Sequence, residues 1–324
     1  MNSERSIGAK HRLLIVLALV APLAYVVLAF LTDARRLGDA LRTMGLLGCV
    51  MILMLSLVNY LVRFQRWQMY LAIFGRRLPS LVHLLYYLSG FAFTVSPGKI
   101  GEAVRSVYLR AHDVPYSQSM AALFVERLLD VLAMVLLASM IVLNHRSYTP
   151  LIIGVLSITL IALLLVSRPW LPRVLDAIAG RRTGRINKLL SAFAELLRAS
   201  SRLLQWQPLA IGLLLALIAW GAEGLGFGLI CSGLALNVNL TLAIGTYAIA
   251  VLAGSAAFFL PAGIGGAEAV MASLLFEQGA PIRVALIATL LCRLATLWFA
   301  VLLGLVATSA IEIRHRAERR RVIS

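Results

Sequence analysis

Long apolar runs recur along the whole chain, and no other feature of the sequence limits the fold as strongly. A helix needs about 20 apolar residues to cross a bilayer. Because 61% of the residues are hydrophobic and only 14% are charged, a water-soluble fold could not bury so much apolar surface. The sequence therefore predicts an all-α polytopic membrane protein with six full spans. These spans are residues 13–31, 44–62, 118–143, 150–167, 209–232 and 284–308.

Two further apolar stretches, residues 81–110 and 241–278, are too long for one straight span and contain helix breakers. We expect each to form a broken re-entrant helical hairpin that returns to its side of origin. A helix N-terminus opened at such a break attracts anions through its free N–H groups, which makes a phosphate the expected guest. The breaking residues are Pro97, Gly98 and Gly101 in the first stretch and Pro261, Gly263, Gly265 and Gly266 in the second.

The two broken stretches are similar to each other, which indicates a duplicated unit. Each carries Glu-Ala-Val after its break, starting at Glu102 and at Glu268. Each glutamate precedes an arginine, Arg127 or Arg293, by 25 residues. Chance similarity between glycine-rich membrane segments is the alternative. The predicted repeat units are residues 44–167 and 209–308.

Basic residues cluster between the apolar runs, and their placement predicts the topology. The net charge is +16, and cytoplasmic loops of membrane proteins are rich in Lys and Arg. If both broken stretches are hairpins, the strongly basic segments all fall on the cytoplasmic side, both termini are cytoplasmic and the two units are inverted. The loop at 32–43 is then outside. The cytoplasmic segments are the N-terminus 1–12, the loop 63–80, the segment 168–208 and the tail 309–324.

One part of segment 168–208 has a distinct pattern. Residues 185–206 carry apolar residues at helical spacing with basic residues between them. Such a basic amphipathic helix is expected to lie on the cytoplasmic face of the membrane against anionic lipid. The alternative is a helix that caps the bundle without a preference for lipid.

Nine ionisable residues lie inside apolar stretches, where a charged side chain costs roughly 2.5–3.5 kcal/mol at the bilayer centre. They must face one another, the headgroup region or a polar cavity. Pairs such as Arg127 with Glu102 and Arg293 with Glu268 would be purely structural, whereas convergence on a cavity would form a site for a lipid headgroup or an ion. The candidate binding residues are Lys99, Glu102, Arg105, Glu126, Arg127, Asp130, Glu268 and Arg293, and Glu223 is the ninth embedded charge.

Several of these residues fall in motifs that resemble the lysylphosphatidylglycerol synthase transmembrane-region family, also called flippase-like domain proteins. The resemblance implies a multi-pass protein of the bacterial or archaeal plasma (inner) membrane that moves lipids between leaflets. It also implies a stand-alone member without the C-terminal aminoacyltransferase domain, so no transferase activity is expected. The motifs are Arg66-Trp67, Gly101-Glu102-Ala103-Val104-Arg105, Glu126-Arg127-Leu128-Leu129-Asp130 and the stretch from Pro261 to Glu268, and the resemblance covers roughly residues 13–308.

These observations favour a lipid transporter over an enzyme. Motifs of zinc proteases, serine hydrolases and nucleotide-binding loops are absent from the sequence, so we predict no catalytic residue, no metal and no cofactor. An intramembrane enzyme with Glu102, Glu126 and Asp130 as acid and base is the weaker alternative.

The expected partners are membrane lipids, namely an anionic phospholipid or a lipid-linked intermediate, and not nucleic acid. A partner enzyme or a second copy of the chain is a further expectation. The second candidate function is a non-transporting accessory subunit, which would anchor a lipid-modifying or glycosyltransferase enzyme through residues 168–208.

Overall fold

The chain folds almost entirely into α-helices. The structure, a computed structural model, describes residues 2–94, 100–143, 145–181, 183–256 and 263–323, without the side chains of 2–19, 21, 100–101 and 315–323. The described residues contain no β-strand, which confirms the predicted all-α class. The helices are α1 (Asn2–Ile73), α2 (Ser80–Ser89), α3 (Val104–Arg110), α4 (Tyr116–Ala138), α5 (Thr149–Ser167), α6 (Trp170–Ala179), α7 (Arg185–Leu203), α8 (Trp206–Gly233), α9 (Leu240–Ala256), α10 (Gly266–Glu277), α11 (Ile282–Arg293) and α12 (Phe299–Ile323).

Four of the described helical segments are long and apolar enough to cross a membrane, so the protein is a multi-pass membrane protein. This number differs from the six predicted spans. The first two predicted spans lie in one segment, Pro22–Ile73, which is interrupted at Asp33 and Gly45. Helix α4 has 23 residues but carries three charged residues near its centre. The four segments are Pro22–Ile73, Arg146–Ser167, Trp206–Gly233 and Ile282–Arg314.

Helix α1 contains both predicted spans, and it is not one continuous helix because its backbone is interrupted between them. Its backbone departs from helical geometry at Asp33 (φ −167°, ψ 92°), which is extended, and at Gly45 (φ +60°, ψ −179°), where a positive φ favours glycine. The predicted connection at 32–43 is therefore bounded by interruptions, but the residues between Asp33 and Gly45 are helical and do not form an irregular loop. Leu37 and Ala40 are buried in the core of the bundle, and this packing keeps the segment helical.

The C-terminal part of α1 also differs from the prediction. The loop expected at 63–80 shrinks to residues 74–79, because the helix continues to Ile73. Arg63 and Arg66 therefore lie inside the bundle, with 6% and 0% of their surface exposed. Their partners are carboxylates on a distant helix, so these basic residues do not mark a loop.

Both predicted breaks separate helices in the structure. Helix α9 ends at Ala256 and α10 begins at Gly266, and the two helices pack against each other. In the first unit, a 3-10 turn over Gly90–Phe93 extends α2, and a second 3-10 turn over Ile100–Ala103 leads into α3. Four of the predicted site residues, Pro97, Gly98, Lys99 and Pro261, lie outside the described residues.

Helix α4 occupies the centre of the bundle. It packs against α1, α5, α7, α8 and α9. Ala121, Ala122 and Val125 have no exposed surface, which reflects the close approach of these neighbours. The same helix carries Glu126 and Asp130 in its buried middle, and it therefore holds charged groups where the surrounding helices must supply their partners.

Candidate functional site

Seven charged side chains from three parts of the chain meet around the middle of α4. Glu126 and Asp130 are four residues apart and lie on one face of the helix, with Arg127 beside them. The turn Ile100–Ala103 with α3 contributes a second group, and the C-terminal part of α1 contributes a third. This α4 charge cluster consists of Arg63, Arg66, Glu102, Arg105, Glu126, Arg127 and Asp130.

Glu126 is the centre of the α4 charge cluster and has no exposed surface. Its Oε2 accepts a hydrogen bond from Nη2 of Arg105 at 2.7 Å. Its Oε1 accepts hydrogen bonds from the Tyr87 hydroxyl at 3.1 Å and from Nη2 of Arg63 at 3.4 Å. These donors replace the hydration that the carboxylate loses on burial.

Each of the two other carboxylates of the α4 charge cluster has one nearest arginine, and Asp130 has two more, Arg127 at 3.6 Å and Arg63 at 3.8 Å. Nη2 of Arg66 lies 2.6 Å from Oδ1 of Asp130, and Nη2 of Arg127 lies 2.9 Å from Oε2 of Glu102. The predicted pairing of Arg127 with Glu102 is thus present. The cluster has four arginines and three carboxylates, and it keeps an excess of one positive charge.

Aromatic rings cover two of the arginines that pair with Glu126. The guanidinium carbon of Arg105 lies 3.8 Å from the centroid of the Trp67 ring, and that of Arg63 lies 5.1 Å from the Trp220 ring. Such cation–π contacts stabilise a guanidinium most where water is excluded. They help to hold two positive charges at membrane depth.

A second ion pair occupies the corresponding place in the other half of the chain. Nε of Arg293 lies 2.5 Å from Oε1 of Glu268, which also accepts a hydrogen bond from the Tyr25 hydroxyl at 2.8 Å. The predicted pairing of Arg293 with Glu268 is therefore present too. Both pairs join a residue after a break to an arginine 25 positions further along.

The helix N-terminus at the second break is already occupied by the protein. The backbone N–H of Gly265 donates a hydrogen bond of 2.7 Å to Oε2 of Glu268, in the first turn of α10. This carboxylate fills the place that the sequence analysis assigned to an anion at this residue. Gly263 serves packing instead, since a Cβ atom there would lie 2.3 Å from the carbonyl oxygen of Gly254.

A cavity of about 70 Å³ lies between the two ion-pair groups. Charged residues from both halves line it, namely Arg63 and Glu102 on one side and Glu223 and Arg293 on the other. The Tyr247 hydroxyl, also in its wall, donates a hydrogen bond to Glu223. One water needs roughly 10–15 Å³ of such volume, so the cavity has room for a larger polar group.

Three residues of the cavity wall carry a buried polar atom without a hydrogen-bond partner among the described residues. These atoms are Nε of Arg63, Nε1 of Trp220 and the hydroxyl oxygen of Thr94. A buried donor without a partner costs about 1–3 kcal/mol, and most native structures avoid it. Two of these groups are obligate N–H donors and the hydroxyl can donate, so together they suit an acceptor such as a phosphate oxygen.

The predicted binding residues divide into two sets around the cavity. Glu102 and Arg293 line it. The other described candidates are not among the lining residues. Arg127 pairs with Glu102 and Glu268 pairs with Arg293. Arg105, Glu126 and Asp130 form the remaining ion pairs of the α4 charge cluster. The expectation that the embedded charges would line one cavity therefore holds for only part of the set. The ion pairs fix the wall in place.

Among the residues of the cavity wall that sequence reasoning missed, four carry a charge or an unused polar group. Arg63 looked like a loop residue because it follows an apolar run, and Glu223 was noted only as an embedded charge. Thr94 and Trp220 carry no signal in the sequence, since a single threonine or tryptophan in a membrane helix is common. For Arg63 alone a signal existed: its spacing of three residues from Arg66 places both on one helix face.

The fold and the site define a multi-pass α-helical membrane protein with paired charges around a buried polar cavity. Comparison with protein families matches residues 13–304 to the family described as the lysylphosphatidylglycerol synthase TM region. The chain belongs to this family. Among proteins with curated descriptions, no match was found.

Proposed function

We propose that this protein moves a phospholipid or a lipid-linked anionic molecule between the leaflets of the membrane. The observation that carries the proposal is the cavity between the two halves, whose wall contains Arg63, Trp220 and Thr94 with unused hydrogen-bonding groups. A lipid phosphate would satisfy these groups as it passes. Membership of the family is consistent with a membrane-embedded role of this kind.

The composition of the wall supports a polar headgroup as the ligand. Two arginines and two carboxylates line the cavity, so positive and negative positions lie within reach of one bound molecule. Arg63 and Arg293 would attract the phosphate. Glu102 and Glu223 would accept hydrogen bonds from hydroxyl or ammonium groups elsewhere on the headgroup, which favours a phosphodiester with a polar substituent.

The proposed topology has two inverted units. Each contains a broken re-entrant hairpin, and both termini lie on the cytoplasmic side of a bacterial or archaeal plasma (inner) membrane. The matching ion pairs support the duplication, since each unit joins a glutamate after its break to an arginine 25 residues later. The basic segments support the orientation.

In this proposal the lipid leaves the protein chemically unchanged. The carboxylates suited to acid–base chemistry, Glu126 and Asp130, are held by arginines at 2.7 and 2.6 Å. Such pairing occupies both carboxylates with fixed partners inside the protein. No cofactor is required. Mass spectrometry of lipids incubated with the protein should find no new species.

Leaflet exchange in liposomes tests the proposal. Purified protein is reconstituted with fluorescent phosphatidylglycerol, and the fraction of label accessible to a membrane-impermeant reductant is followed over time. The double variant Thr94→Val/Trp220→Phe removes two of the unused polar groups without breaking an ion pair. We expect it to slow exchange several-fold relative to the unmodified protein.

The matched control is Thr159→Val. The hydroxyl of Thr159 is also buried, but it donates to the Val155 carbonyl of its own helix at 2.7 Å and lies outside the cavity wall. Unchanged exchange in the Thr94→Val/Trp220→Phe variant would show that the cavity is not the path. Failure of the unmodified protein to exchange any anionic lipid would shift support to the accessory-subunit function.

A further inference from the structure

Helices α6 and α7 form a helical hairpin between two membrane-crossing helices. The preceding span ends at Ser167 and the next begins at Trp206. Helices α6 and α7 pack against each other and are linked by an ion pair between Asp176 and Arg198. Because the two spans end and begin here, both ends of the hairpin are held at a boundary between membrane and water.

One face of α7 attaches the hairpin to the bundle. Ala194, Leu197 and Leu203 are buried where α7 packs against α4 and α5. The N-terminal half of α7 has a different character, since Ile186, Leu189 and Phe193 are about half exposed or more. These three residues follow helical spacing and form an apolar stripe outside the bundle.

Helix α6 has a matching exposed stripe. Trp170, Val174 and Ile178 are four residues apart in turn, and each is exposed by 44% or more. Trp206, the first residue of α8, is 83% exposed. Large apolar side chains in this number are rarely left in water, and tryptophan is enriched at the interface between membrane and water.

The hairpin is also strongly basic. Residues 168–206 contain eight Lys and Arg against two Asp and Glu. Arg185 and Lys188 lie beside the apolar stripe of α7, and Arg173 lies beside that of α6, all three on exposed positions. An apolar stripe bordered by basic residues is the pattern of a helix that lies in the plane of an anionic membrane surface.

We propose that the α6–α7 hairpin is an interfacial binding surface for anionic lipid headgroups, separate from the cavity. Its apolar stripes enter the boundary between headgroups and acyl chains, and its basic side chains contact lipid phosphates. Each basic residue near an anionic surface strengthens binding by about 1 kcal/mol, which corresponds to about fivefold. A soluble protein partner fits less well, because both ends of the hairpin are fixed at membrane depth.

The chain contains its own probes for this proposal. Trp170 and Trp206 are exposed on or beside the hairpin, whereas the described tryptophans elsewhere, Trp67, Trp220 and Trp298, are buried. In nanodiscs, brominated lipids quench tryptophans that contact them. The difference in quenching between the unmodified protein and a Trp170→Phe/Trp206→Phe variant isolates the signal of the hairpin.

We expect brominated phosphatidylglycerol to quench the hairpin signal more than brominated phosphatidylcholine at equal mole fraction. The variant Arg185→Gln/Lys188→Gln should lose this preference, and the matched control Arg35→Gln/Arg36→Gln, with the same loss of charge on another exposed segment, should keep it. In the unmodified protein, 1 M salt should also remove the preference, because the Debye length falls to about 3 Å.

Two results would overturn the proposal. Equal quenching by both lipids in low salt would mean that the hairpin contacts the bilayer without a preference for anionic headgroups. Quenching by neither lipid would place the hairpin away from the membrane and would favour a protein partner on this surface.

Discussion

Replacement of Glu126 by glutamine should destabilise the protein far more than the loss of an exposed ion pair. The change keeps the shape of the side chain but leaves four arginines with two carboxylates, so the excess positive charge of the α4 charge cluster doubles. Glu126 has no exposed surface and contacts Arg105 at 2.7 Å and Arg63 at 3.4 Å. Breaking a buried pair costs about 3–5 kcal/mol, out of a total stability of roughly 5–15 kcal/mol.

A double-mutant cycle isolates the pairwise part of this cost. Glu126→Gln, Arg105→Gln and the double variant are unfolded reversibly in mixed micelles, with tryptophan fluorescence as the signal. We expect a coupling energy of about 2–3 kcal/mol between the two residues. The control cycle uses Asp176 and Arg198, whose side chains are 42% and 50% exposed, and should give less than about 1 kcal/mol.

The reasoning would be refuted by equal coupling energies in the two cycles. It would also fail if the Glu126→Gln variant were as stable as the unmodified protein, because the surrounding arginines would then not depend on the central carboxylate.

Three further changes test the packing and the second ion pair, each through the free energy of unfolding. Gly304→Ala places a Cβ atom 2.2 Å from the backbone nitrogen of Ala92 and should cost about 1–3 kcal/mol; an unaffected variant would mean that the helices do not cross so closely. Tyr25→Phe removes a 2.8 Å hydrogen bond to the carboxylate of Glu268 and should cost about 1.5–3 kcal/mol; a neutral result would place the N-terminal helix away from this pair. Gly45→Ala forces a side chain into φ +60° and should cost about 1–2 kcal/mol, whereas increased stability would argue for a regular helix at this position.

Part of the site could be predicted because the chain repeats its own spacing. The glutamate and arginine 25 residues apart occur twice, and both pairs form in the structure. Because a lone charge in a membrane is costly, each of these glutamates and arginines needed a partner of opposite charge. Composition and the length of the apolar runs predicted the all-α membrane fold, because few backbone structures satisfy their own hydrogen bonds inside lipid.

Two features of the fold could not be predicted, because they depend on contacts between distant parts of the chain. Arg63 and Arg66 follow an apolar run just as basic loop residues do, and only the carboxylates of α4, more than 60 positions away, keep them inside the bundle. The expected loop at 32–43 is helical because Leu37 and Ala40 meet the core. The local sequence reveals neither the carboxylates that hold the two arginines nor the core residues that contact Leu37 and Ala40.

The cavity was equally hidden from the sequence. Thr94 and Trp220 come from different helical segments, and only tertiary packing brings their unused polar groups to one wall. A single threonine or tryptophan in the sequence does not predict such a position in a cavity wall. The embedded charged residues indicated that the fold contains a polar site, whereas the neutral residues Thr94 and Trp220 help to define where a ligand would bind.

Blocking the cavity tests the central claim most directly. Val251 lines the polar cavity, and the next residue, Leu252, lines an apolar groove elsewhere on α9. Both side chains are partly buried. Val251→Trp therefore places a larger side chain at the polar cavity, and Leu252→Trp places one at the apolar groove. If headgroups pass through the cavity, leaflet exchange of labelled phosphatidylglycerol should be lost in Val251→Trp and retained in Leu252→Trp. Equal exchange by the two folded variants would contradict the account.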